Sequence, residues 1–166
     1  MHQLSADATH KVQFELNGKP VEGLAEPRML LTDFLRHQVG ATGTHVGCEH
    51  GVCGACTIHI DGVPARACLT LAVQVDGANL RTVEGLEPEQ GRLSIIQEAF
   101  RKHHALQCGF CTAGILMSLD AFLRANSEPS EREIREYLSG HICRCTGYGP
   151  IVAAAFEAAA KLRESK

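Results

Sequence analysis

The sequence predicts an α+β chain whose first half is a mixed sheet with one helix and whose second half is all helical. Between residues 9 and 83, apolar side chains alternate in short runs, and Asn17-Gly18 and Asp61-Gly62 punctuate them as tight hairpin turns do. From Leu93 onward the apolar spacing changes to threes and fours, the period of a helix. The polar stretch Gly85–Arg92 (GLEPEQGR), with Pro88 and Gly91, lies between the two regimes. It sets the domain boundary, with residues 1–86 on one side and 87–166 on the other.

Each element follows from its residues. Thr9–Leu16 places Val12, Phe14 and Leu16 on alternate positions, a half-buried strand, and Asn17-Gly18 turns it back over Val21–Leu24. Pro27 breaks the chain. Leu30, Leu31, Phe34 and Leu35 then mark a short helix to about Val39, which Gly40 ends. Leu24, Met29 and Leu30 are expected in the core. Thr57–Ile60 is a strand with Ile58 and Ile60 on one face, and Asp61-Gly62 returns it through Val63–Ala67. A last strand is expected over Asn79–Val83.

In the second half, Leu93, Ile96 and Phe100 give a helix to about His104. Another opens at Cys108-Gly109-Phe110-Cys111 and runs to about Arg124; its apolar residues cover more than one face, so it is central. Ser130 and Glu133 form a capping box for a third helix, with Ile134, Tyr137 and Leu138 inward and Gly140 at its end. Pro150 suits the first turn of a fourth, the alanine-rich IVAAAFEAAAKL. Four helices around one core make a small bundle.

The eight cysteines form two sets. Cys48, Cys53 and Cys56 are spaced C-x4-C-x2-C, and Cys68 follows after eleven intervening residues. This is the plant-type ferredoxin spacing for a [2Fe–2S] cluster. Four thiolates and two sulfides around two ferric ions carry net negative charge, so such a cluster needs N–H donors close by. A tight loop of backbone amides supplies them, and Gly43, Gly47, Gly51 and Gly54 permit its turns. The second set, Cys108, Cys111, Cys143 and Cys145, reads C-x2-C and C-x-C. Each pair precedes a predicted helix, where free N–H groups and the helix dipole favour an anion. Spacing alone leaves this set open between iron–sulfur, zinc and redox thiols, although C-x-C is unusual in structural zinc sites.

Composition narrows the field. At 45% hydrophobic and 21% charged the chain reads as globular, and with no Trp, two Tyr and six Phe it is short of large core residues, which favours metal staples. A net charge of −3 and a pI near 6.3 give no basic footprint for nucleic acid. No apolar run approaches the roughly 20 residues that span a bilayer. MHQLSADATH has neither an apolar stretch nor a twin arginine, so no secretory address is expected. Cysteines in a cytosol stay reduced, which leaves metal ligation over disulfides and a cytoplasmic location as the expectation.

The segments GCEHGVCGACTIHIDG, ALQCGFCTAG and HICRCTGY together resemble the two-cluster iron–sulfur subunit of the xanthine oxidase family of molybdenum hydroxylases. The resemblance runs from the first strand to the last helix, takes in all eight cysteines and departs at no ligand position. RKHHALQCGFCTAGIL resembles in particular the quinoline-type enzymes that act on N-heteroaromatic compounds. The resemblance implies an N-terminal plant-type ferredoxin-like (β-grasp) domain and a C-terminal four-helix-bundle domain, each with one [2Fe–2S] cluster. It further implies a large partner subunit with molybdopterin, in the cytosine dinucleotide form, and a medium partner subunit with FAD, in a doubled heterotrimer without nucleic acid or membrane. The cluster on Cys108, Cys111, Cys143 and Cys145 would lie nearer the molybdenum, and that on Cys48, Cys53, Cys56 and Cys68 nearer the flavin. Gln107 and Cys145 match the family residues beside the pterin. The substrate would be a small aromatic or N-heteroaromatic compound.

Without the resemblance, Gln107 reads as a polar residue at a helix start. His45, His50 and His59 flank a site that four cysteines already complete, so they are expected to be solvated or to stand beside it. His103-His104 reads as a catalytic pair or as a polar helix end near a negative dipole. Arg144 either meets a partner's anionic group or offsets cluster charge, and Glu49 faces solvent or a partner. No nucleophile–base pair, phosphate loop or G-x-G-x-x-G is present, so no substrate site is expected on this chain. Two other readings stand beside this one: a freestanding two-cluster ferredoxin, which calls for a strongly acidic docking face, and a two-zinc structural scaffold.

Overall fold

The computed structural model describes residues 4–89 and 91–165. The leader reading over residues 1–10 therefore lies partly outside the described residues. Strands β1 (His10–Leu16) and β2 (Lys19–Ala25) pair antiparallel across Asn17-Gly18, both of which take positive φ (52° and 77°). Strands β3 (Thr57–Ile60) and β4 (Val63–Arg66) pair in the same way across Asp61-Gly62, at 49° and 81°. This double left-handed turn matches the twist of the strands it joins. Strand β5 (Asn79–Arg81) lies between the hairpins, parallel to β1 and antiparallel to β3. The sheet order is β2-β1-β5-β3-β4, a mixed sheet.

Val12, Phe14 and Leu16 point inward from β1, and the longest helical segment of this half closes over them. It begins as one turn, α1 (Leu31–Asp33), widens into π geometry over Phe34–Val39, and ends on Gly40 at φ 81°. Phe34 packs into the space over Gly23, where a Cβ would come within 2.7 Å of the ring. Leu31, Phe34, Leu35, Ile58 and Leu80 are fully buried with them in one core. Leu24, expected inside, is 58% exposed. The period of β2 turns Val21, Gly23 and Ala25 inward and leaves Leu24 on the outer side.

Four helices follow: α2 (Ile95–Lys102), α3 (Thr112–Ala125), α4 (Glu131–Leu138) and α5 (Gly149–Glu164). Their core gathers Leu86, Phe100, Ile115, Met117, Leu119, Leu123, Ile134 and Ile151. Helix α3 is central: every residue from Ala113 to Asp120 is buried, because β3 covers one side and α2 and α5 the other. The capping box at α4 is formed, Ser130 N–H donating to Glu133 Oε2 at 2.8 Å and Glu133 N–H to Ser130 Oγ at 3.3 Å. No helix among the described residues is long and apolar enough to cross a membrane.

Helices α2 and α5 are pinned by one carboxylate. Glu157 takes Lys102 Nζ at 2.8 Å, His103 Nε2 at 2.7 Å and Lys161 Nζ at 3.0 Å. Lys102, then Lys161 and His103, hold its carboxyl down to about 2 from the ordinary 4.5. A depressed carboxyl stabilises the fold fully above its unfolded value and loses that contribution as pH falls through its folded one. Glu157→Gln is therefore expected to unfold at a lower urea concentration than the wild type at pH 7. The gap should close between about pH 4.5 and pH 2, and a gap that does not change with pH would refute the assignment.

Candidate metal centres

The first cysteine loop turns on Glu49, Gly51 and Gly54, at φ 56°, 82° and 76°. Left-handed residues at these points direct successive amides into one concavity. Cys53 N–H donates to Cys48 Sγ at 3.4 Å. That bond, followed by one from the His50 amide, draws the Cys48 thiol down to about 6. The thiols stand as two neighbouring pairs, Cys48 with Cys53 and Cys56 with Cys68. Cys56 and Cys68 are buried, and burial, then the Cys56 thiol, pushes Cys68 up to about 11.

In the second set, Cys111 caps the N-terminus of α3 and Cys108 lies exposed just before it. The pairs here are Cys108 with Cys145, whose sulfurs are 3.5 Å apart, and Cys111 with Cys143. Burial, then the Cys143 thiol, pushes Cys111 up to about 12, while the Phe110 amide holds Cys108 low. The expectation that each pair directly precedes a helix needs correcting for the C-x-C pair. Thr146, Gly147 and Tyr148 separate Cys145 from α5, and Tyr148 turns left-handed at φ 66°. Its hydroxyl accepts from Cys143 N–H at 2.8 Å and donates to the His141 carbonyl at 3.0 Å, and Thr146 Oγ1 lies 3.1 Å from Cys143 Sγ. The Thr146 hydroxyl is the side-chain group that meets the Cys143 thiol here, while Tyr148 fixes the loop backbone around it.

The donor sets fit two-iron clusters. Among the described residues no three His, Cys, Asp or Glu side chains close on a single point, as one mononuclear ion would require. The thiols stand instead as two pairs in each set, which suits two irons that each take two thiolates. The amides and hydroxyls around them can offset the charge of four thiolates. A cavity of about 220 Å³ is lined by Cys108, Cys111, Cys143 and Cys145 and, from the first set, by Cys53. A groove of about 740 Å³ over the sheet, beside Gln13, Glu22 and Asp61, is lined by no cysteine.

The other expected residues separate clearly. Gln107 is exposed and its Nε2 donates to the Cys145 carbonyl at 2.9 Å, so both lie together at the surface. Arg144 is exposed between the two cysteines it separates. His45 stacks on Phe110, ring centres 5.0 Å apart, and its Nδ1–H donates to the Phe110 carbonyl at 2.7 Å, which joins the first loop to the second. His50 bonds the Cys48 carbonyl, and Glu49 faces solvent. His59, expected solvated or beside the cluster, is buried and donates from Nε2 to the Met117 carbonyl at 2.7 Å, because α3 covers its face of β3. His103 is taken up by Glu157, and His104 is exposed.

His141 and Tyr148 escaped the reading of the sequence. His141 is 4% exposed, its Nδ1 has no partner, and burial, then the Arg66 charge, lowers its pKa to about 4, which keeps it neutral at ordinary pH. Only Gly147 and Gly149 on either side of Tyr148 hinted at its unusual backbone.

Two domain families match this chain: a 2Fe-2S iron-sulfur cluster binding domain over residues 24–97 and a [2Fe-2S] binding domain over residues 82–156. The chain is 53% identical over 150 residues to caffeine dehydrogenase subunit gamma of Pseudomonas sp. (strain CBB1), covering 89% of each. It is 53% identical over 148 residues to nicotine 6-hydroxylase small subunit of Paenarthrobacter nicotinovorans, covering 89% of this chain and 88% of that one. Among solved structures, quinoline 2-oxidoreductase from Pseudomonas putida 86 matches with a TM-score of 0.90 at 51% identity, over 94% of this chain and 97% of the matched one.

Proposed function

The chain belongs to the iron–sulfur subunits of the xanthine oxidase family of molybdenum hydroxylases, and on that premise we propose which residues carry its electrons and for which substrates. It is the electron-transfer subunit of an oxidoreductase whose molybdenum and flavin sites lie on partner subunits. Cys48, Cys53, Cys56 and Cys68 hold one [2Fe–2S] cluster, and Cys108, Cys111, Cys143 and Cys145 hold the other. When bound, each cluster takes up and releases one electron at a time, so a two-electron oxidation drains in single steps. The observation that carries this assignment is the sorting of eight thiols into two paired quartets, with Cys53 on the wall of the other quartet's cavity.

The second quartet faces the molybdopterin, with Gln107 and Cys145 as its contact. The bond from Gln107 to the Cys145 carbonyl, at the surface, supports that placement. The first quartet faces the flavin. The ferredoxin-like (β-grasp) domain takes residues 1–86 and the four-helix-bundle domain residues 87–166. Two separate cores support a division of this kind, although Val83 and Leu86, on the first side of the boundary, pack into the helical core. Relatives named for caffeine, nicotine and quinoline support a small aromatic or N-heteroaromatic substrate. The assembly is a doubled heterotrimer in the cytoplasm, and the pterin is in its cytosine dinucleotide form.

Iron analysis and low-temperature EPR of the dithionite-reduced complex test the ligand assignment. About four irons per chain and two S = 1/2 signals are expected for two such clusters. Cys53→Ser should abolish one signal while the other is still reduced by substrate. An unchanged pair of signals in that variant would remove the assignment, and zinc without an EPR signal would make the chain a scaffold.

A further inference from the structure

One guanidinium ties the two cysteine loops together. Arg66 closes β4 and reaches into the seam between the halves. Its Nη2 donates to the Gly140 carbonyl at 2.7 Å, three residues before Cys143. Its Nη1 donates to Thr57 Oγ1, and that hydroxyl donates in turn to the Gly54 carbonyl at 2.7 Å, between Cys53 and Cys56. Nε faces the Gly51 carbonyl at 3.4 Å in the same loop. Arginine is suited to this place because its donors form a rigid planar fork and its charge is permanent.

The contact that this fork braces is the shortest backbone link between the quartets. The Ile142 N–H donates to the Cys53 carbonyl at 3.0 Å, and Ile142 is bonded directly to Cys143. One hydrogen bond and one residue thus separate a cysteine of the first set from a cysteine of the second. Around that bond the packing is close, since a Cβ on Gly54 would overlap His141 Nδ1.

We propose that Arg66 is the positioning residue for electron transfer between the two clusters, its fork holding the Cys53–Ile142 contact and its charge easing reduction at the first quartet. The proposal rests on the ligand assignment made above. One electron passes in each event, from the site on Cys143 to the site on Cys53. The donor is oxidised by one, the acceptor is reduced by one, and no bond is made or broken. Arg66 has no hydrogen bond to a sulfur; it acts through the backbone it holds and, at the first quartet, through a partly buried positive charge that no carboxylate among the described residues pairs.

The test uses the intact complex, with Arg66→Lys, Arg66→Met and Thr57→Val compared with the wild type. Two quantities are read: the magnetic coupling between the reduced clusters by EPR, and the midpoint potential of each cluster by redox titration. Arg66→Met should weaken the coupling and shift the first quartet's midpoint downward. Arg66→Lys keeps the charge without the fork, so it should restore the midpoint and leave the coupling weak. Thr57→Val removes the relay to Gly54 and leaves the charge in place, so it should weaken the coupling alone. If Arg66→Met fails to assemble, the lysine and valine variants decide. Wild-type coupling in either of them, or wild-type coupling and midpoints in Arg66→Met, overturns the proposal. A wild-type complex without two cluster signals would instead sink the ligand assignment before any variant is compared.

Discussion

Cys111→Ser is expected to remove the second cluster and, with it, the stability of the helical half. The choice of serine isolates the cause. Cys111 stands at the start of α3 with helical backbone (φ −80°, ψ −15°), and its side chain makes no capping bond. No cap is lost with the ligand, so a drop in stability reports the metal. The drop should be large because α3 is buried from Ala113 to Asp120 and its first turn is anchored by the thiol pair that Cys111 makes with Cys143. Metal binding and folding are coupled wherever the ligands hold an element in place. Loss of a metal ranks among substitutions that cost more than about 4 kcal/mol, which in a chain of this size lowers Tm by roughly 10 °C. Calorimetry of the complex together with iron analysis checks this. A variant with half its iron gone and an unchanged Tm would show that the bundle needs no staple.

Signals that act over a few residues were legible in the sequence. Asn17-Gly18 and Asp61-Gly62 announce their turns because both residues of each pair must turn left-handed, which few dipeptides tolerate. Ser130 and Glu133 announce a helix start because the two side chains satisfy each other's amides across three residues. The cysteine spacings carry their chemistry in the same local way. What stayed hidden depends on elements far apart in the chain. The alternation around β3 marks Ile58 as inward, but nothing near His59 says that α3, some 55 residues on, will cover the other face. Leu24 looked like core by its apolarity alone, although the alternation that starts at Val21 puts it on the outer face. Arg66 and Tyr148 share the fate of His59: most of their partners are carbonyls and amides, and any residue supplies those. Much of the seam between the halves is written in backbone groups, which side-chain pattern does not reveal.

That same seam makes Gly114→Ala the second large effect, against the rule for helices. In an ordinary helix interior the change would stabilise by roughly 0.8–1 kcal/mol, since glycine is the poorer helix former. Gly114 lies in the first turns of α3, where a Cβ would overlap the Gly54 carbonyl oxygen and stand 3.0 Å from two backbone carbons of Ala55. A crowded side chain can rotate away, but these are main-chain atoms of the loop between Cys53 and Cys56, held by the Thr57 hydroxyl. Overpacking of this kind typically costs about 1–3 kcal/mol, which outweighs the gain in propensity. The only relief is for α3 to back away from the sheet, and that motion strains the His59–Met117 bond and the Cys53–Ile142 link together. Gly114→Ala should therefore lower the urea midpoint of the complex and weaken the magnetic coupling between its clusters, although it replaces no ligand and alters no charge. A variant as stable as the wild type, with its coupling intact, would mean that the cysteine loop yields where the contacts say it is fixed.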